Sequence, residues 1–499
     1  MKKILSNAIL LLCTLSIIVN CSKDDGPSSE ALPSITAFTP KSGTVGTEVT
    51  ITGKNFSTIT SENVVKFGNV TAIVTQASET ELKTSVPDGA STSKISVTVN
   101  GNATTSTDSF IVNAPINLEL NKSSLELHTS DAEQLTVSGA GENQVTWSSD
   151  NEDVAIVDES GNVKAVGAGT ANITVSVNES QASAEITVEP SVFVTVNHYK
   201  TTDYTASIWT NGSITELTDG SSNAYANSMD IYKGDVFISG SELDKESENY
   251  IAKYWKNGEV NNLTDNSSDT RLSSVKVYDD DIYAVGYGTD ENAYTAKLWK
   301  NGNVQDLSDG INTNLALDLV INNGNAFIAG YESTDNKSIA KIWVNDVPHL
   351  LTDGTNYARA TSIFVTGDYI YATGYDNNIA TLWKSGTPTP LTEEGSMSFA
   401  YSVFVDGTDV YVGGSEYGEE GKYIAKIWKN GVPIDLTDGT FNAKVNSVFV
   451  YNGDIYAVGY ENTIVNDEEI NVAKLWVNGT PTILAGTDYS TYAVSVVVK

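Results

Sequence analysis

Seven tryptophans, Trp209, Trp255, Trp299, Trp343, Trp383, Trp428 and Trp476, return every 40 to 48 residues, each inside a phrase close to A-K-x-W-x-N-G. A unit of that length cannot bury an apolar face alone, so a tandem array must stack its copies. The fullest copy reads as four short strands, here called a to d. They are Ser447 to Val450, Asp454 to Tyr460, Val472 to Trp476 and Thr482 to Leu484. Tight Gly-bearing turns, Gly453-Asp454 and Asn478-Gly479, join a to b and c to d, as hairpins require.

Four strands per repeat at this spacing predict one blade per repeat and a β-propeller over residues 192–499. The two ends of the repeat region are complementary. Val192 to Tyr199 reads as a strand b with no a before it, and Ser495 to Lys499 as a strand a with no b after it. One blade is therefore shared by both ends, which gives seven and leaves no open sheet edge. Reach decides which strand is innermost. Crossing a blade spans three strand spacings, roughly 14 Å, which the nine residues Asp219 to Asn227 cover easily. The b-c connection Asp376 to Ile379 extends at most roughly 13 Å. Strand a is thus inside, and all b-c loops and d-a crossings share one face.

That face carries the variable positions, and binding concentrates in loops that vary over a constant scaffold. The b-c loops are uneven and mostly acidic, as in Glu242 to Glu248, Glu416 to Glu420 and Asn466 to Glu469. Three residues before the small polar residue of each strand a stand Tyr225, Arg271, Leu315, Arg359, Phe399, Lys444 and Tyr492. These are expected to ring the channel mouth. Aromatic faces with Arg and Lys donors suit a sugar, stacking on its C-H surface and binding its hydroxyls or carboxylates. The plainer reading is a solvated position at the end of a crossing loop. The repeated Trp is read as core packing between blades. The Asp of Leu217-Thr218-Asp219-Gly220, echoed at Asp265, Asp309, Asp353 and Asp438, is read as a turn residue. No cofactor is specified; Ca²⁺ beside the acidic loops stays open, without a D-x-D-x-D-G loop to hold it.

Ahead of the repeats, Gly43 to Thr47, Val49 to Phe56, Val65 to Gly68, Val86-Pro87 and Phe110 make residues 33–113 similar to an IPT/TIG Ig-like domain. Val145 to Ser149, Val154 to Val157 and Gly161 to Thr170 make 116–189 resemble a group 2 bacterial Ig-like (BIG2) domain. The resemblances imply spacer or adhesive β-sandwiches with no catalytic residues, and put Trp147 in a sandwich core. The chain is thus expected to be all-β, two Ig-like sandwiches followed by a seven-bladed propeller closed by its N- and C-terminal strands. Short joints, Asn113 to Pro115 and Glu189 to Ser191, limit bending between neighbours.

At the N-terminus, Lys2-Lys3, the apolar run Ala8 to Val19 and Cys21 resemble a bacterial lipoprotein signal, with Ile18 to Cys21 as its lipobox. The resemblance implies a signal peptide 1–20, lipidation of Cys21 and an acidic tether 21–32. Ser22 to Asp25 is similar to the tag that sends some Gram-negative lipoproteins to the outer face of the outer membrane. A periplasm-facing anchor is the alternative. Of two cysteines, Cys13 falls in the removed segment, so no disulfide is expected and contact with the membrane is through the lipid alone.

A formal charge of −34 excludes nucleic acid as a partner and opposes an anionic ligand, favouring neutral sugar, a cationic partner or a Ca²⁺-bridged contact. No H-E-x-x-H, G-x-S-x-G or P-loop is present, and His198 and His349 fall on different repeats without a ligand set. The expected function is non-catalytic capture of a glycan or surface polymer. A cell-surface adhesin that binds another surface protein is the alternative, and a carboxylate-based glycosidase or lyase the third reading.

Overall fold

The computed structural model describes residues 31–178, 180–200, 202–290, 293–334 and 337–499. The signal peptide, Cys21 and nearly all of the tether lie outside the described residues. Every described element is a strand except one 3-10 turn, Thr60–Glu62. The described residues form two compact units, one running to Asn121 with Thr136–Thr146 and Val175–Ala182, the other holding the rest.

In the first unit, one sheet orders Ser34–Thr39, Glu48–Lys54, Glu81–Ser85 and Val74–Ala77. The other orders Ser42–Gly43, Asn102–Val112, Ser93–Val99, Asn63–Phe67 and Val70–Ala72. Period-2 alternation builds its core: Val49 and Ile51 point in with Thr50 between them, and Phe67 meets Phe110 edge-on at 5.2 Å. In the second unit, Ser124–His128 runs parallel to Glu185–Glu189, and Asn162–Ala165 pairs with both Ala132–Gln134 and Ala155–Val157. Trp147, expected in a sandwich core, is only half-buried. Its ring covers Gly161, whose φ of +86° and missing Cβ let the indole lie on the turn, since a Cβ there would meet the ring at 2.7 Å.

Residues 192–499 form seven four-stranded antiparallel sheets. Blades 1 to 6 begin with inner strands Ala224–Tyr232, Thr270–Tyr278, Thr313–Asn322, Ala358–Thr366, Ser398–Asp406 and Ala443–Tyr451. Blade 7 takes its inner strand, Ser490–Val498, from the C-terminus. It pairs with Val192–Tyr199, followed outward by Tyr204–Thr210 and Ser213–Glu216. Phe193 faces Val497 and Val194 faces Val496 in this ladder. Ser191 and Lys499 then exchange backbone hydrogen bonds of 2.9 and 3.0 Å. The ring is closed by a shared blade, as the incomplete ends of the repeat require.

Each repeated Trp packs against the preceding blade. Trp255 sits with Ala206 of blade 7, Trp343 with Val285 and Leu298 of blade 2, and Trp428 with Tyr371 and Ala380 of blade 4. Trp209 of blade 7 closes the circle on Val458 and Leu475 of blade 6. At 150–250 Å² apiece, burying each indole contributes roughly 4–6 kcal/mol of transfer free energy as an upper estimate. The Asn two residues after six of the seven Trp, replaced by Ser385 in blade 4, turns the c-d hairpin. Asn430 has φ +52°, accepts the Val410 N–H at 2.9 Å and donates to Asp409 at 2.8 Å. Asp219, Asp265, Asp309, Asp353 and Asp438 each accept the N–H two residues on, at 2.9 to 3.1 Å, and so are turn residues.

Candidate functional site

Every inner strand slips register once. The slips fall between Ala226 and Ser228, Leu272 and Ser274, Ala316 and Asp318, Ala360 and Ser362, Ala400 and Ser402, and Val445 and Ser447. In blade 7 the slip lies opposite Thr195 and Val196, at Val494. A bulge inserts one unpaired residue and re-aims its side chain. Those residues, Asn227, Ser273, Leu317, Thr361, Tyr401, Asn446 and Val494, all line one axial cavity of about 600 Å³. In blades 1 to 6 the slip is accommodated by a glycine on the neighbouring strand b, whereas blade 7 has Thr195 and Val196 there. At Gly459, for example, a Cβ would meet the Lys444 carbonyl group, 2.9 Å from its carbon.

Beneath the bulges runs a belt of hydrogen bonds between inner strands. Ser362, Ser402 and Ser447 accept the N–H groups of Val403, Val448 and Val496, each in the next blade, at 3.0 to 3.3 Å. Blade 3 breaks the pattern with Asp318 where the other blades have Ser. One of its oxygens accepts from Ser274 Oγ at 3.1 Å and Leu319 N at 2.8 Å. The other accepts from Ser362 Oγ at 2.8 Å and Ile363 N at 3.0 Å. Four donors leave this carboxylate little capacity for a ligand.

Above the belt lies the ring expected from the sequence, and the structure divides it. Tyr225, Lys444 and Tyr492 line the cavity, together with Tyr204, Tyr460 and Asn197, which sequence reasoning missed. Arg271, Arg359 and Phe399 do not line it. Arg271 stacks on Tyr250 at 3.9 Å, Arg359 on Tyr331 at 4.2 Å, and Phe399 meets Tyr375 edge-on at 5.0 Å. Leu315 is likewise absent from the lining. The missed tyrosines sit on strands b and c and reach the mouth through contacts between neighbouring rings. Tyr204 lies 5.1 Å from Tyr225 and 6.1 Å from Tyr492, which lies 5.4 Å from Tyr460. The bulge residues carried no constant identity to find them by. The recurring strand-b Gly, paired with the apolar residue just before each bulge in blades 1 to 6, was their only trace.

The electrostatics of the mouth differ from those of the whole chain. Strand-b and loop carboxylates are matched by lysines: Glu242 by Lys253 at 2.5 Å, Glu416 by Lys426 at 3.0 Å, Asp203 by Lys245 at 3.0 Å, and Glu461 by Lys474. In four blades the Lys of A-K-x-W therefore neutralises the end of strand b, while Lys297 of blade 2 bonds Asp306 of strand d. Among the described residues no cluster of three or more His, Cys, Asp or Glu is arranged to hold a metal ion. Burial pushes Tyr225, Tyr401, Tyr460 and Tyr492 up, so they act as neutral donors and stacking faces. Lys444 stands over the Tyr401 ring at 4.0 Å, and burial pushes its ammonium down to about 8. His198, 1 % exposed, lies away from the cavity beside Glu216, and His349 is on an exposed outer strand, Val347–Leu350.

Residues 33–112 match the family model of the IPT/TIG domain, and residues 117–188 that of the bacterial Ig-like domain (group 2). No curated protein matches the chain. Among solved structures, an auxiliary nutrient binding protein from Bacteroides ovatus is 13% identical, with 94% of this chain and 90% of that one covered and a TM-score of 0.24. An auxiliary nutrient binding protein from Bacteroides thetaiotaomicron is 13% identical over 68% and 95%, at a TM-score of 0.19. The β-propeller domain of the Trilobed protease from Pyrococcus furiosus is 11% identical over 60% and 93%, at 0.31. Scores this low leave the functions named for those proteins with those proteins.

Proposed function

We propose that the propeller is a non-catalytic binding module that captures a carbohydrate or surface polymer at its axial mouth. The two Ig-like segments serve as its stalk, and a lipid on Cys21 anchors it to the outer membrane with the propeller on the extracellular side. One observation carries the reading: a cavity of about 600 Å³ walled by Tyr204, Tyr225, Tyr401, Tyr460 and Tyr492 over a floor of hydroxyls. That volume falls within the range of small-molecule sites, roughly 300–1,000 Å³. Tyrosine supplies both a stacking face and a donor, the combination a sugar ring engages. Against glycoside hydrolysis there, the described lining holds a single carboxylate, Asp318, where that chemistry needs two.

Binding to a glycan array, followed by titration of the strongest ligand, tests the reading. Tyr225→Ala with Tyr492→Ala is expected to weaken binding at least tenfold. Unchanged binding by that double variant would move the site off the axis. Labelling of intact cells with an impermeant reagent tests the anchor, since a protein protected until the outer membrane is opened faces the periplasm.

A further inference from the structure

Two charged side chains line the axial cavity, Asp318 and Lys444. Their situations are opposite. Asp318 is satisfied by four donors within the belt, so it offers little to a cationic ligand. Lys444 has no carboxylate within ion-pair distance among the described residues, and its ammonium lies over the face of Tyr401, 4.0 Å from the ring centre. Elsewhere in the propeller the lysines of the repeat are paired: Lys253, Lys341, Lys426 and Lys474 each hold a Glu of strand b. Lys444 occupies a different position, on an inner strand, where blade 1 has Tyr225 and blade 7 has Tyr492. An ammonium partly desolvated among tyrosines without a counter-ion is costly to keep, and an incoming anion would offset that cost.

The chain's net charge of −34 argues against an anionic ligand only at long range. Exposed charges beyond about 8–10 Å are screened at physiological ionic strength. Four carboxylates at the ends of strands b and in their loops, Asp203, Glu242, Glu416 and Glu461, are held by lysines of their own. Among the described lining residues, Asp318 keeps its charge but is held by four neutral donors, while Lys444 supplies the one charged group with no hydrogen-bond partner, and it is positive.

Resting on the reading of the axial mouth as a glycan site, we infer that the cavity takes an acidic sugar, a uronate whose carboxylate is bound by the Lys444 ammonium while its ring lies against the tyrosine wall. Neutral sugars lack the group that Lys444 is placed to meet, so they bind more weakly. Arg271 and Arg359 stack on Tyr250 and Tyr331 and do not line the cavity.

The test uses the full ectodomain and oligomers of galacturonate, glucuronate and mannuronate, beside the same oligomers with their carboxyls reduced to alcohols. Calorimetric titration is expected to show at least one acidic oligomer binding roughly tenfold to a hundredfold tighter than its reduced form, the worth of one charge-assisted hydrogen bond. Lys444→Met erases that difference, and Lys444→Arg keeps it. Because the Lys444 ammonium titrates near pH 8, affinity for the acidic oligomer falls as pH rises through that value in the parent protein and stays level in Lys444→Arg. The tyrosines around it, Tyr401, Tyr460 and Tyr492, are pushed up by burial and stay neutral across that window. Equal affinity for acidic and reduced forms, or a preference that survives Lys444→Met, overturns the inference and leaves the axial site standing. So does failure of every acidic oligomer to bind at about 1 mM. Insensitivity of all binding to Tyr225→Ala with Tyr492→Ala is the separate result that removes the site itself. Lys444→Met removes a partly buried charge, so its fold is expected to survive, and its melting curve checks this.

Discussion

Gly286 and Gly288 stand two residues apart on strand b of blade 2, both buried and both facing the same way, yet a methyl group at each meets different things. At Gly286 an added Cβ falls against backbone only. It meets the Arg271 carbonyl group, 2.9 Å from its carbon and nearer still to its oxygen, and the Leu272 Cα at 2.9 Å. Nothing there can move unless the bulged inner strand moves with it. At Gly288 the neighbours are side-chain atoms, Thr270 Oγ1 at 2.8 Å and Lys297 Cε at 3.1 Å, which can rotate aside. Overpacking costs about 1–3 kcal/mol, and separating the strands at Gly286 weakens one or two ladder bonds at about 1 kcal/mol each. Gly286→Ala is therefore expected to destabilise the propeller by about 3 kcal/mol. For Gly288→Ala, the lower entropy of the unfolded chain returns about 0.4–1 kcal/mol, and the net change is near zero. Differential scanning calorimetry of the whole ectodomain, following the propeller transition, separates the two. Variants within about 0.5 kcal/mol of each other would refute the claim that strand-b glycines exist to admit the bulge.

The hairpin Asn is expected to matter through both its bonds and its backbone. Asn430→Ala loses two hydrogen bonds and strains φ +52°, costing roughly 2 kcal/mol, whereas Asn430→Gly keeps the turn relaxed and costs about half as much by urea unfolding. Buried His198 faces Glu216, Lys200 and Tyr489, and burial, ahead of Lys200, lowers its basicity despite the opposing pull of Glu216. The unfolded chain then takes up the proton first, so stability is lost as pH falls below about 6.5. Melting curves from pH 7.5 to 5 are expected to slope less in His198→Leu, and equal slopes would contradict the assignment. Deleting Ser490–Lys499 removes the inner strand of blade 7 and bares Val192–Tyr199, so gel filtration is expected to show aggregation in place of a single folded species.

Much of the ring was legible because its constraints are periodic. The Trp spacing reports blade size, N-G reports a hairpin, and the truncated strands at either end report a shared blade. The reach of the Asp376 to Ile379 loop settled which strand lies inside. The lining of the cavity was not legible, for a physical reason. A bulge shifts the alternation by one residue, so Tyr401 and Asn446 point to the axis although strict period 2 places them elsewhere. Tyr204 and Tyr460 arrive from strands c and b by packing between blades, which no local pattern encodes. Arg271 and Arg359 were credible donors from sequence, but each found an aromatic face closer than the cavity. Trp147 shows the same limit: its motif was clear, while its half-burial over Gly161 depended on a turn.

Ligand is proposed to enter at the axis of the closed ring. Hydrogen–deuterium exchange with the strongest array ligand tests it most directly. New protection is expected to concentrate in the inner strands Ala224–Tyr232, Ala443–Tyr451 and Ser490–Val498, with the outermost strand of each blade and residues 33–188 unchanged. Protection confined to outer strands such as Val432–Asp435, or to the Ig-like segments, would contradict it.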